Sequence, residues 1–121
     1  MHKRFIYILI ESEPIFLQLG AFIPKLIDGI GANLEALYGL GFRSIAVTNL
    51  QPIGCLPFFA SLNNYTACND SISNSISVPH NQQLAAKLTA LRDKYNLAEF
   101  IALDLDSAIN ATKGNNNTSA L

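Results

Sequence analysis

The sequence predicts an α/β fold with three layers, α/β/α, containing about three parallel strands and two main helices. Unbroken apolar runs at residues 5–10, 45–48 and 100–103 are typical of strands that are buried on both faces. The two segments between these runs repeat apolar residues every three or four positions, which indicates amphipathic helices. Strands that alternate with helices form right-handed parallel crossovers, and helices normally cover both faces of the sheet. Three strands are few for this architecture, so we expect an incomplete sheet whose exposed edges could support self-association.

The first apolar run, Phe5–Ile10, is interpreted as the first strand. It follows Lys3 and Arg4 and therefore resembles the start of a signal peptide. The run is shorter than the roughly 7–15 residues of a signal core, and no small-x-small cleavage site follows it. We therefore predict a strand, with a decayed signal as the alternative. No stretch approaches the roughly 20 apolar residues that a transmembrane helix needs, so no transmembrane segment is expected.

The first helix is predicted from about Phe22, with Gly39 and Gly41 as its C-terminal stop. Pro24 would lie in the first turn, where its missing N–H has no cost. The predicted apolar stripe consists of Ile23, Ile27, Ile30, Leu34, Leu37 and Gly41. A second strand follows at Ile45–Thr48.

The segment from Gln51 to Ser77 is rich in Pro, Gly, Asn and Ser and is predicted to be one long loop. It contains Cys55 and Cys68, thirteen positions apart. We favour a disulfide between them, which would stabilise the fold by about 3 kcal/mol in the chain-entropy model. Free thiols, or Cys55 as a nucleophile in a turn, are the alternatives.

The second helix is expected to open near Ser77, which can cap it, with Pro79 just inside. Its apolar stripe consists of Leu84, Leu88, Leu91 and Tyr95, and the run Phe100-Ile101-Ala102-Leu103 is the third strand. The composition divides the chain into a partial α/β domain, residues 1–109, and an Asn-, Ser- and Thr-rich tail, residues 110–121, which is expected to be disordered.

The composition excludes some functions. Half the residues are apolar, 14% are charged and the formal charge is -1 with eight Lys and Arg, so no basic surface for nucleic acid is expected. Two cysteines are too few for a zinc site built on Cys alone. The chain carries candidate glycosylation sequons, which fit a secreted protein, at Asn64, Asn69, Asn110, Asn116 and Asn117.

One long combination of motifs is specific. Residues 37–57 hold a Leu-Tyr pair, a Leu-Gly-x-Arg turn, an apolar strand and the element Pro52-Ile53-Gly54-Cys55-Leu56-Pro57. The stretches Asn64-Tyr65-Thr66-Ala67-Cys68 and His80-Asn81-Gln82-Gln83-Leu84 continue the pattern, and Asp104-Leu105-Asp106 follows the third strand. From about residue 23 to residue 106 the chain resembles the plant GDSL esterases/lipases of the SGNH hydrolase superfamily.

This resemblance implies a flavodoxin-like α/β/α fold. It also implies hydrolysis of carboxylic esters, with lipids or acylated plant metabolites as substrates, through a Ser-His-Asp mechanism without metal or organic cofactor. It implies a secreted protein as well, although the chain carries no convincing signal peptide of its own.

The family's catalytic elements do not map onto the chain. No Gly-Asp-Ser element is present, and Glu11-Ser12-Glu13-Pro14 stands where the oxyanion Gly and Asn are expected. No histidine follows Asp106, so the Asp-x-x-His element is missing as well. Because nucleophile, base and oxyanion donors act together, we assign no catalytic residue and expect this chain to be inactive alone.

Several residues could have a catalytic or a metal-binding role. His80 could act as a base with Ser73 or Ser77 and with Asp104, although a structural role is favoured. Asp104 with Asp106, like Glu11 with Glu13, could bind a metal, although a solvated strand end is favoured and no metal site is predicted.

Four loop residues are expected to border the substrate cleft: Asn49, Gln51, Pro52 and Gly54. Asn49 follows a parallel strand at its carboxyl end, where α/β folds place their ligands. Simple hydrogen bonding within the loop is the alternative role for Asn49.

Two further interpretations of the whole chain stay open. It could be a non-catalytic remnant or interaction protein that associates through its sheet edges. It could also be a truncated version of a longer product that carries the missing catalytic elements.

Overall fold

The computed structural model describes residues 15–113. The predicted strand at Phe5–Ile10 and residues 114–121 of the predicted tail lie outside the described residues. The described elements are, in chain order, α1 (Ile15–Gly39), β1 (Ser44–Thr48), a 3-10 turn (Ile53–Cys55), α2 (Pro57–Ala60), a 3-10 turn (Ser61–Asn63), α3 (Asp70–Ser75), α4 (Ser77–Lys94), β2 (Glu99–Leu103) and α5 (Leu105–Lys113).

The sheet in this part of the chain has two strands. β1 and β2 are parallel, with Ile45 opposite Phe100 and Val47 opposite Ala102. Helix α4 makes the crossover between them, as the alternating sequence pattern predicts. The described region is therefore an incomplete α/β domain that is mostly helical.

The core lies on one face of this sheet. Phe100 and Leu88 are almost fully buried, and Ile45 lies against the same cluster. Helices α1 and α4 supply the other buried residues of the cluster: Ile23, Ile27, Leu34, Leu84, Leu88 and Leu91. The predicted stripes form the core except at the end of the first one, where Leu37 and Gly41 are exposed. Apolar burial fixes which face of each helix turns inward.

The other face of the sheet is bare in the described region. Ile101 is 42% exposed and Leu103 is 48% exposed. The expectation of helices on both faces is therefore wrong for residues 15–113, because α1 and α4 both pack on the same face. Two apolar side chains in β2 remain in contact with solvent as a result.

Helix α1 is longer than predicted, since it begins at Ile15 and not near Phe22. Pro24 consequently lies inside the helix and not in its first turn. The carbonyl that loses its partner belongs to Gly20, which is exposed, so water can take that hydrogen bond. The predicted stop is confirmed: Gly41 adopts a φ of 103° and donates its N–H to the Tyr38 carbonyl at 3.0 Å.

The second predicted helix corresponds to α4, and Pro79 lies in its first turn. The residue at the cap position is Ile76, which offers no side-chain cap. The prediction that Ser77 caps this helix is therefore wrong, because its hydroxyl bonds to the preceding loop. None of the helices within residues 15–113 is long and apolar enough to span a membrane.

Two segments predicted to be irregular contain helices. The stretch between Gln51 and Ser77 folds into the two 3-10 turns, α2 and α3. Helix α5 continues to Lys113, so the predicted start of a disordered tail at Asn110 is too early. Side-chain caps support two of these helices, with Asn69 at the start of α3 and Asp104 at the start of α5.

Candidate functional site at the carboxyl end of the sheet

The carboxyl ends of the two strands lie side by side. Thr48 is opposite Leu103 in the register, and the Asn49 N–H donates to the Leu103 carbonyl at 3.1 Å. The next residues, Asn49 and Asp104, therefore meet at the sheet edge where open α/β folds place their ligands. This edge is the candidate functional site.

Asn49 joins the two strand ends through its side chain. Its Nδ2 donates to Asp104 Oδ1 at 2.9 Å, and its Oδ1 accepts the N–H of Asp106 at 3.0 Å. Both ends of the amide are therefore committed to the start of α5. These contacts show that Asn49 makes hydrogen bonds within the structure, and they do not test whether it borders a cleft.

Asp104 caps helix α5. Its Oδ1 accepts the Ser107 N–H at 2.9 Å, and its Oδ2 accepts the Ser107 hydroxyl at 2.6 Å. Hydrogen bonds from the Ser107 hydroxyl, the Ser107 N–H and Asn49 stabilise the carboxylate and hold its pKa below the ordinary value. The strand end is exposed, as expected, but the carboxylate is fully engaged in a capping network.

In this network the Ser107 hydroxyl lies beside the Asp104 carboxylate, and the network contains no imidazole. Because the lowered pKa makes Asp104 a weaker base, it is poorly suited to deprotonate Ser107.

The described residues contain no group of three His, Cys, Asp or Glu side chains that could hold a metal ion.

His80 takes a structural position on α4. It is buried, and its Nδ1 lies 2.9 Å from Asn81 Oδ1. Since Asn81 Oδ1 also accepts the Leu50 N–H at 2.8 Å, the oxygen is an acceptor and His80 Nδ1 is the donor. His80 therefore helps to orient Asn81.

The structure does not assemble the hypothetical triad around His80. The Ser77 hydroxyl donates to the Gln51 carbonyl and accepts the Ile53 N–H, both at 2.9 Å. The Ser73 hydroxyl accepts the Gly54 N–H at 2.9 Å. The hydrogen-bond partners of Asp104 are Asn49 and Ser107, and His80 is not among them.

Three polar side chains hold the loop after β1 in place. Asn81 pairs with both backbone groups of Leu50, since its Nδ2 also donates to the Leu50 carbonyl at 2.7 Å. Ser77 holds the next two peptide groups of the loop, and Ser73 holds Gly54. Sequence reasoning missed this role, although the spacing carries a signal: positions 73, 77 and 81 continue the buried stripe of Leu84 and Leu88 towards the N-terminus.

The predicted disulfide is present. Cys55 and Cys68 are bonded, with their Cα atoms 4.4 Å apart, and Cys55 is buried. The alternatives of free thiols or a nucleophilic Cys55 are therefore excluded. Beside the bond, the Asn69 N–H donates to the Gly54 carbonyl at 2.8 Å, so the two ends of the loop are also joined through the backbone.

Gly54 lies where no side chain fits. A Cβ at this position would overlap the carbonyl oxygen of Asn69 and lie 2.7 Å from Ser73 Oγ. The glycine is therefore required by the close approach of two backbone segments and not by an unusual φ.

The other predicted cleft residues border a small pocket. Gln51 and Pro52 line a space of about 70 Å³ together with Cys55, Leu56, Pro57 and Ile109. Gly54 is not among the lining residues. Binding sites for drug-sized ligands have volumes of roughly 300–1,000 Å³, so this pocket is too small for an acyl ester. That Asn49, Gln51, Pro52 and Gly54 border a substrate cleft remains a prediction.

The glycosylation candidates occupy different environments. Asn64 is exposed in a turn, Asn69 caps α3 through its side chain, and Asn110 is exposed on α5. Asn116 and Asn117 lie outside the described residues.

Comparisons with known proteins agree on one family. The family described as GDSL-like Lipase/Acylhydrolase matches residues 18–120. A GDSL esterase/lipase of Arabidopsis thaliana is 33% identical over 108 residues, which cover 86% of this chain and 33% of the relative. A second one is 36% identical over 88 residues, covering 73% and 24%.

Another Arabidopsis thaliana relative is named an inactive GDSL esterase/lipase-like protein. It is 28% identical over 99 residues, which cover 82% of this chain and 24% of the relative. The chain thus spans a third or less of the length of these curated relatives. No solved structure matches the chain at a significant level.

The hydrogen bonds to Asp104 predict which of two substitutions raises the pKa of Asp104 more. Removing the Ser107 hydroxyl in Ser107→Ala takes away the largest cause of the lowered pKa, so the pKa of Asp104 should rise towards its ordinary value. Asn49→Ala should raise it by less. NMR titration of the carboxyl carbons measures both. A larger rise in Asn49→Ala than in Ser107→Ala would contradict the assignment.

The same shift sets the pH dependence of stability. Because the pKa of Asp104 is lower in the folded chain, its stabilising contribution is present above the unfolded pKa. It should disappear as the pH falls through the folded pKa. Urea midpoints measured between pH 6 and pH 3 should therefore fall less steeply in Asp104→Asn than in the unchanged chain.

Two glycine substitutions should change stability in opposite directions. Gly54→Ala forces a methyl group into the Asn69 carbonyl and should destabilise the fold by roughly 3 kcal/mol or more. Gly29→Ala is the matched control, since Gly29 lies within α1 with nothing near its Cβ position. It should stabilise by up to about 1 kcal/mol. Urea denaturation measures both, and equal effects would contradict the close packing at Gly54.

Proposed function

Because this chain belongs to the GDSL-like lipase/acylhydrolase family, we propose that it forms the central part of an ester hydrolase domain. In this proposal the loop after β1 forms one wall of the substrate cleft, and the chain itself contributes no catalytic residue. The substrates of the complete domain are carboxylic esters, including lipids, and the reaction needs neither metal nor organic cofactor.

The observation that carries this proposal is that the serine hydroxyls and the imidazole considered for catalysis make structural hydrogen bonds. Ester hydrolysis requires a hydroxyl within hydrogen-bond reach of a base, and the base requires an orienting partner. Here the Ser77 hydroxyl serves the loop backbone, and the His80 ring serves Asn81. Ser107 has a carboxylate partner whose basicity is reduced.

The sequence supports the same conclusion independently. No Gly-Asp-Ser element occurs in the 121 residues, and the two histidines, His2 and His80, both precede the third strand. One relative is itself named inactive, so members of the family without activity have a precedent. The chain by itself is therefore expected to be a scaffold without ester hydrolysis.

We also propose a secreted location. The Cys55–Cys68 disulfide supports it, since disulfides persist in oxidising compartments and are rare in the cytosol. The sequons at Asn64, Asn69 and Asn110 fit the same location.

Hydrolysis of p-nitrophenyl acetate tests the proposed absence of catalysis. The purified chain should release p-nitrophenol at the rate of buffer alone, and His80→Ala should release it at the same rate as the unchanged chain. A complete family esterase is the positive control. Release well above the buffer rate that a serine-directed fluorophosphonate abolishes would show an active serine and overturn the proposal.

A second candidate function, a non-catalytic interaction protein, is favoured by a different observation. Ile101 and Leu103 project from the bare face of β2, and Leu105 beside them is 38% exposed. Apolar side chains gathered on one sheet face are typical of contact surfaces. In this alternative the chain associates with itself through the sheet.

Sedimentation velocity over a range of concentrations tests this association. The unchanged chain should form dimers or larger species, and Ile101→Lys should shift the population towards monomer. Leu97→Lys is the matched control, because Leu97 is 79% exposed in the turn before β2. A monomer at every concentration, together with a cooperative thermal melt, would exclude the alternative.

A further inference from the structure

The segment between β1 and α3 contains an unusual surface. No Asp, Glu, Lys or Arg occurs from Ser44 to Asn69. Within this uncharged stretch three large apolar side chains are strongly exposed: Phe58 at 75%, Leu62 at 67% and Tyr65 at 55%. We call these three residues the apolar patch. Phe58 lies in α2, Leu62 in the 3-10 turn that follows it, and Tyr65 in the turn after that.

The apolar patch lies in a loop that is closed at its base. The Cys55–Cys68 bond and the adjacent backbone bond between Gly54 and Asn69 join the two ends of the segment. Within it, the Tyr65 N–H donates to the Ala60 carbonyl at 2.9 Å, which closes the turn that presents the three side chains. Exposed apolar side chains on a fixed surface normally have a covering partner.

A complete glycosylation sequon stands inside this surface. Asn64, Tyr65 and Thr66 are all exposed, and Asn64 adopts the left-handed region with a φ of 51°. Asparagine tolerates that region better than other non-glycine residues, and the turn places it between two members of the apolar patch. A sugar attached to the Asn64 amide would therefore start beside Leu62 and Tyr65.

The sequon at Asn69 differs in each of these respects. Asn69 is half-buried, and its Oδ1 accepts the Ile72 N–H as the cap of α3. Its backbone lies against Gly54 with no spare room. A sugar there would be attached at a packed junction and not at an open turn.

We propose that Asn64 carries an N-linked glycan that covers the apolar patch of Phe58, Leu62 and Tyr65. The donor is an oligosaccharide linked to a polyprenyl diphosphate. The Asn64 nitrogen forms a bond to the anomeric carbon of the first sugar and loses one proton, the bond from that carbon to the diphosphate oxygen breaks, and the polyprenyl diphosphate leaves. The polar glycan then shields the rings and the leucine from water and from other chains. This proposal rests on the secreted location proposed above.

The first experiment tests glycosylation of Asn64 separately from the proposed secretion of the chain. The full chain is produced behind a signal peptide from another protein in a eukaryotic secretory host, so entry into the pathway does not depend on its own N-terminus. Mass spectrometry with and without peptide N-glycosidase should show a glycan that Asn64→Gln and Thr66→Ala each remove and Asn69→Gln leaves in place. An unmodified Asn64 in this experiment refutes the site, whereas failure of the natural chain to enter the pathway would refute only the location.

Shielding is measured with a dye that binds exposed apolar surface, 8-anilinonaphthalene-1-sulfonate. Both glycan-free variants, Asn64→Gln and Thr66→Ala, should raise its fluorescence several-fold, and Asn110→Gln should not. Adding Phe58→Ser to Asn64→Gln should return the signal towards its starting level. Two variants are used because either could disturb the local turn, and circular dichroism verifies that each is folded.

Two outcomes would overturn the shielding. One is unchanged dye fluorescence in both glycan-free variants. The other is binding of the glycosylated chain to neutral phosphatidylcholine vesicles that Phe58→Ser abolishes, since the apolar patch would then be a lipid contact and not a covered surface.

Discussion

The carboxyl end of the sheet depends most on the two hydrogen bonds of the Ser77 hydroxyl. It donates to the Gln51 carbonyl and accepts the Ile53 N–H, so a single side chain on the buried side of α4 fixes the direction of the loop after β1. Asn81 fixes Leu50 in the same way. Because these backbone groups are partly buried, leaving one without a partner would cost free energy. The positions of Cys55 and Pro52 follow from these anchors.

Hydrogen bonds between side chains and backbone also organise the sheet edge. Asn49 and Asp104 stand where an α/β fold offers its ligand site, yet their side chains link β1 to the cap of α5. No side-chain nitrogen or oxygen that is buried within the described region lacks a hydrogen-bond partner. A catalytic hydroxyl has to be free to meet a base and a substrate. Here the hydroxyls of Ser73, Ser77 and Ser107 already have partners that hold the structure together.

Local sequence patterns were sufficient to predict several features of the fold. The buried stripes of α1 and α4, the parallel pairing of β1 and β2, the stop at Gly41 and the disulfide all follow from local patterns. The start of α1, the capping role of Asp104 and the anchoring by Ser77 could not be predicted in the same way. They depend on which polar group meets which backbone group after folding, and composition classifies Ser, Asn and Asp simply as loop residues.

Apolar burial and the polar side chains at the start of α4 together specify the fold. Apolar burial between α1, α4 and one face of the sheet supplies the driving force, and Phe100 and Leu88 are its best-buried members. The polar stripe at the start of α4 adds direction, because hydrogen bonds to Leu50 and Ile53 are satisfied in only one loop arrangement. Neither contribution requires a nucleophile or a base. Apolar burial and hydrogen bonds to the loop after β1 therefore hold together the incomplete α/β framework of residues 15–113.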